Sequence, residues 1–180
     1  MVDVNGIISE VVKATSKEFN YSIDGVKSDI TFLDGTWKYI TDWLTIQDAA
    51  AETMDDRKYP LIALIRDFDI TTDENDYPNA ELLILVCSAS ELGMDMEQRK
   101  EVFKKVLHPI SDIFIKQLKK HNQVIRNKQS FTIRESYHLG TDSKEQYKLP
   151  DILEGLFISN LSIQFQKPKT TNCITNKKII

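Results

Sequence analysis

Val4, Ile7, Ile8, Val11 and Val12 recur every three or four residues between about Asp3 and Phe19. This narrow apolar stripe predicts an amphipathic helix. The following "SIDGVKSDITFLDGT" carries two Asp-Gly pairs, which read as turns around a short strand from Ile30 to Leu33. Thr36 is then placed to cap a second helix, about Trp37 to Met54, with Ile40, Trp43, Leu44, Gln47 and Ala51 along one face. In "KYPLIALIRDFDI" the apolar run Leu61, Ile62, Leu64, Ile65 is too continuous for a half-exposed strand. Both of its faces are expected to be covered, with Pro60 tolerated at its start. "AELLILVCS" reads the same way, and the acidic "TTDENDYPN" between the two reads as the loop of a wide hairpin or meander.

Asp95 with Gln98 three residues on is a capping-box pattern, and it opens the long helix of "RKEVFKKVLHPISDIFIKQLKK". Phe103, Val106, Leu107, Ile110, Ile113, Phe114 and Leu118 form its apolar stripe, and its lysines fall mainly on the other side. Pro109 removes one backbone donor and crowds the turn before it. The stripe nevertheless resumes on the same face, which predicts one kinked helix rather than two. His108 beside the kink is expected to be exposed, with no ligand or proton-transfer role. Ser130 to Leu139 reads as a strand, "GTDSKEQYKLPDILEG" as a polar connection and "LFISNLSIQFQ" as the last strand. There Leu156 and Ile158 share one parity while Leu161, Ile163 and Phe165 share the other. Either a bulge near Ser159-Asn160 or burial on different sides at the two ends would produce that change.

These elements make a single α+β domain over residues 1–168. Its expected architecture is a mixed, mostly antiparallel sheet of four to five strands, packed by an N-terminal helix, a second helix and one long kinked helix. Residues 169–180 form a polar tail that is expected to order only against a partner.

Charge changes the picture more than composition does. Residues 1–98 hold 7 Lys/Arg against 20 Asp/Glu, a balance of −13, whereas residues 99–148 hold 12 against 5, or +7. Such a split describes either ordinary solvated helix faces or an acidic and a basic side through which copies of the chain associate. No run approaches a membrane span, and the N-terminal segment lacks the basic and apolar regions of a signal peptide. Cys87 sits in an apolar run as a core residue and Cys173 in the polar tail, so a reducing compartment is expected.

Candidate chemistry is sparse. A metal-dependent nuclease would place an acid on one strand and Glu-x-Lys on the next; Asp69 or Asp76 followed by Glu81 starts that layout, but the position two after Glu81 is Leu83. His108, His121 and His138 lack metal-ligand spacing. There is no phosphate-cradling glycine loop and no nucleophile elbow. The basic stretch has no aromatic residues interleaved on its polar side, against sequence-specific nucleic-acid reading. No catalytic residue, cofactor or metal is expected.

The order of "TWKYITDWL", the "YPLIALIRDF" strand, a long buried strand, "EQRKEVFKKVLHPISDIFIKQL" and "LPDILEGLFISNLSIQF" resembles the tail terminator and head-tail joining proteins of tailed bacteriophages, over most of residues 1–168. The resemblance implies a non-enzymatic virion protein of the tail or neck, present in the host cytoplasm during assembly. It implies a ring, commonly a hexamer, that caps the tail tube and offers a surface to the neck. Its partners would be itself, the tail tube protein and the neck or connector proteins. DNA would pass through the lumen without specific binding, helped by an acidic lining, and no membrane would be involved. The alternatives are another neck, tail-completion or tube protein of a phage, or a bacterial cytoplasmic interaction module. On the ring reading, Lys104, Lys105, Lys116, Lys119 and Lys120 form a basic side that meets Asp73, Glu74 and Asp76 of a neighbour, and the C-terminal tail clasps an adjacent subunit.

Overall fold

The computed structural model describes residues 2–19, 22–23, 26–27, 29–50, 58–91, 93–125, 130–139 and 152–167. Expectations for Asp24-Gly25, for the far end of the second helix with Ala51 and Met54, for the connection 140–151 and for the tail beyond Lys167 lie outside these residues. The first helix, α1 (Val4–Glu18), is capped by Asp3, whose carboxylate accepts from the Gly6 N–H at 2.9 Å. Its predicted stripe is buried, and Thr15 and Ser16 extend it. Ser16 Oγ accepts from the Ile30 N–H at 3.1 Å, which ties the end of α1 to the start of the sheet.

Two short strands, β1 (Ser22–Ile23) and β2 (Val26–Lys27), pair with each other, and among the described residues with no other strand. The main sheet begins at β3 (Thr31–Gly35), so the second Asp-Gly pair ends a strand instead of making a turn. Thr36 Oγ1 accepts from the Tyr39 N–H at 3.2 Å and opens α2 (Trp37–Ala50) as expected. The chain then returns as β4 (Leu61–Ile65), parallel to β3 and buried at every position. β6 (Pro78–Ala89) runs antiparallel to β4, and the last strand, β9 (Leu153–Phe165), pairs along nearly all of β6. Strand alternation sends Ile62, Leu64, Leu82, Ile84 and Val86 to one core, under α1 and the long helix. Leu61, Ala63, Ile65, Leu85 and Cys87 go to a second core, with Ile40 and Leu44 of α2. The fold is therefore α+β, with a mixed and mostly antiparallel sheet between helices, as the pattern predicts.

Among the described residues the sheet has seven strands, not four or five. The extra ones are short: β5 (Ile70–Thr72) pairs with the start of β6, and β7 (Val124–Ile125) with the end of β9. β8 (Thr132–Leu139) pairs with the first half of β9. The parity change in β9 is a bulge. Leu82 pairs with Leu161 and Ile84 with Ile158, so Ser159 and Asn160 together oppose Leu83, and Asn160 takes φ 54°. All five apolar residues flanking the bulge then reach the same core.

The long helix starts as α3 (Met96–Val102), with both hydrogen bonds of the Asp95–Gln98 capping box formed. Helical backbone continues through Phe103–Leu107 and into α4 (His108–Lys120), so the two halves are one run. The distortion expected at Pro109 is a π turn just before it, in which the His108 N–H bonds to the Phe103 carbonyl. The wider turn accommodates a residue with no N–H without ending the helix. Phe103, Val106, Leu107, Ile110, Phe114 and Leu118 are buried as predicted, Ile113 is half-buried, and Ser111 and Ile115 join the inner face. α1 and α4 lie antiparallel, since Glu18 pairs with Lys116 while Glu10 pairs with His121.

Arg99, counted with the basic surface by the charge pattern, is 2% exposed. Its guanidinium pairs with Glu154 of β9 and donates to Ser90 Oγ, Glu91 O and Met94 O at 3.0, 3.2 and 3.1 Å. Arg99→Met or Glu154→Leu alone strands a buried charge and should cost about 3–5 kcal/mol, whereas the double variant should lose less than either single. Urea unfolding of the three variants measures this, and a double loss equal to the sum of the singles would show that the two side chains act independently.

Candidate functional site

The π turn opens a groove of about 370 Å³ between the long helix and β8, lined by Lys100, Phe103, Lys104, His108, Glu135 and Tyr137. Phe103 is its buried wall, with its ring centroid 4.6 Å from that of Tyr137. His108 is not idle: its Nε2 lies 2.8 Å from Glu135 Oε1, and the Tyr137 hydroxyl donates to Glu135 Oε2 at 2.8 Å. The Tyr137 hydroxyl and then the His108 ring hold the Glu135 carboxyl below the usual carboxylate range. The same bond pushes the Tyr137 phenol up. Both carboxylate oxygens thus carry a donor, and the three side chains clasp β8 to the helix. The signal that could have found this clasp is the i, i+2 spacing of Glu135 and Tyr137, which puts both on one strand face. Their partner His108 lies 27 residues away from Glu135, beyond any local pattern.

The lysines fall in two groups along the long helix. Lys104 and Lys105 belong to the π turn and pair with Glu101 at 3.8 and 2.7 Å. Lys116 pairs with Glu18 of α1, while Lys119 and Lys120 are exposed in the last turn of α4. At about 1.5 Å per residue the two groups lie roughly 18 Å apart along the helix. Lys105 draws the Glu101 carboxyl down, and Lys116 does the same to Glu18.

The two buried strands, β4 and β6, form the expected wide hairpin, and within its acidic connection β5 makes a tight turn into β6. Asp73 Oδ1 accepts from the Asn75 and Tyr77 N–H groups at 2.9 and 2.8 Å, and Oδ2 accepts from Gln164 at 2.6 Å. Asp73 is therefore spent inside its own subunit, while Glu74 and Asp76 stand exposed at the tip, Asp76 with φ 60°. Asp67, Asp69 and Glu81 share a cavity of about 430 Å³ with Thr71, Asn79 and Ser162 on the open face of the sheet. The acids weighed as a nuclease layout are thus partly brought together, since Asp69 and Glu81 both line it. Among the described residues, no group of three or more His, Cys, Asp or Glu side chains is placed to hold a metal ion.

Among the described residues the outer edges of β3 and β5 lie unpaired along one side of the sheet and those of β7 and β8 along the other. β5 pairs only with the start of β6, and β8 only with the first half of β9, which itself faces the end of β6. The open edges of β5 and β8 therefore sit diagonally across the sheet. Comparison with models of protein families and with curated proteins finds no match for this sequence.

The clasp has a pH signature. Glu135 is held below its unfolded value, so its bonds stabilise the fold at neutral pH and are lost as pH falls through the folded value, below the ordinary carboxylate range. The group is 39% exposed, which limits its contribution to about 1 kcal/mol or less. Urea unfolding of the wild type and Glu135→Gln between pH 7 and pH 3 should show a difference that holds above about pH 5 and shrinks below it. A difference that grows on acidification would contradict the clasp.

Proposed function

We propose that this chain is a non-enzymatic structural subunit of a tailed bacteriophage, a tail terminator that assembles into a ring, caps the tail tube and joins it to the neck. The observation that carries this reading is the unlike character of two open sheet edges on opposite sides, those of β5 and β8. β5 is bordered by Asp67, Asp69, Asp73, Glu74 and Asp76, whereas β8 carries Arg134 beside Glu135, which His108 engages, and borders the groove with Lys100 and Lys104 at its rim. A ring is built from heterologous contacts, in which one patch of a subunit meets a different patch of the next. Two unlike edges on opposite sides of one sheet meet that requirement, and opposite charge favours pairing in that sense over like with like. The expected contact between the acidic hairpin and the lysines narrows accordingly: Glu74 and Asp76 are available to a neighbour, Asp73 is committed, and Lys104 is the lysine of the original set that lines the β8 groove.

Size-exclusion chromatography with light scattering should give a closed oligomer, six chain masses for the expected hexamer, alone or after mixing with tail tubes. Electron microscopy should place it at the tube end. A chain that stays monomeric at high concentration and leaves tube ends bare would overturn the proposal.

A further inference from the structure

We infer that β5 of one copy adds to the open edge of β8 in the next, antiparallel and with Ile70 opposite Ile133, so that one sheet runs on through the subunit contact; this rests on the ring reading above. The described residues expose few large apolar side chains, and two of them, Ile70 and Ile133 at 41% and 38%, lie on the open edges of β5 and β8. Ile70 pairs with Ala80, and Ile133 with Ile158, both in the core beneath α1 and the long helix. The two isoleucines therefore stand on the same face of the sheet, as they must if it continues through both strands.

Placing them opposite each other leaves no freedom for their neighbours. Thr71 falls opposite Thr132, and Asp69 opposite Arg134, both on the other face. All four are exposed. An aliphatic pair, a Thr–Thr pair and an opposite-charge pair are each favourable between antiparallel strands. Shifting the register by one residue turns every side chain of β5 to the wrong face. The parallel arrangement keeps the isoleucine pair but sets Thr71 opposite Arg134 and Asp69 opposite Thr132, losing the ion pair. Arg134 already lies over the Phe157 ring, 5.2 Å from guanidinium carbon to centroid, so it is held on the face where Asp69 arrives.

Sedimentation of Asp69→Arg and Arg134→Asp variants tests the register. Each single reversal sets like charges opposite each other and should weaken assembly about tenfold, while D69R/R134D should restore it. Both positions are exposed, and circular dichroism checks that the variants fold. In a Cys173→Ser background, oxidation should link Ile70→Cys protomers to Ile133→Cys protomers, and neither variant to itself. An oligomer that persists unchanged in both single reversals, or a double reversal no better than the singles, would overturn this interface and leave the ring standing. A wild-type chain that never assembles, alone or on tubes, would remove both.

Discussion

A guanidinium shut away from water must be given acceptors, and the chain supplies them to Arg99 from three places. The carbonyls of Glu91 and Met94 come from the segment before the long helix, the hydroxyl of Ser90 from just past β6, and the carboxylate of Glu154 from β9. Desolvation of two ions offsets most of their attraction, so the pair adds little net stability, while losing one partner is costly. That asymmetry makes the contact positional. The first turn of the long helix cannot slide along β9 without stranding a buried charge, so the helix crosses the sheet from a fixed point. The π turn then falls beside β8, and the groove and the His108–Glu135–Tyr137 clasp follow from its placement. Tyr137 and His138 together oppose Glu154 in a second bulge, with His138 at φ 57°. The strand partner of the buried pair thus also shapes the edge.

What could be read from the sequence was whatever repeats with the period of its own element. The α1 stripe, the two doubly buried strands, the Asp95–Gln98 cap and the bulge at Ser159-Asn160 all announce themselves by spacing, because burial imposes the spacing. β5 and β7 have three and two residues, too few to show any period. The hairpin acids read as a loop because Asp, Glu and Asn are loop residues, although Asp73 uses its carboxylate to build the turn. The burial of Arg99 and Glu154 has no local signal, because charge is ordinarily solvated and the two partners lie 55 residues apart. Lys104 and Lys116 share a helix about three turns apart, and their intramolecular partners, Glu101 and Glu18, lie on different elements.

The open edges show how the fold limits indiscriminate pairing. A long, flat, apolar edge would invite any exposed strand. β5 is three residues long and is followed by a turn, and β8 carries adjacent opposite charges at Arg134 and Glu135 and a bulge at Tyr137-His138 that ends its regular edge. Only about Thr132 to Arg134 remains flat enough to accept a strand. Glu135 is turned away to the helix face by its clasp with His108, which leaves Arg134 as the charge presented on the opposite face.

A contact so short forms few backbone hydrogen bonds, and each contributes only about 1 kcal/mol net. Two free copies therefore have little reason to stay together through it. In the proposed ring every subunit makes the contact twice, and the final closure is intramolecular, with an effective concentration far above that of free chains. A template that holds several copies side by side gives the same advantage before closure. Weak, register-specific edges would thus suit the proposed ring, whose assembly a tube end would favour. Strengthening them by extending β5 or removing the β8 bulge would trade that dependence on a template for the edge-to-edge aggregation that short charged edges avoid.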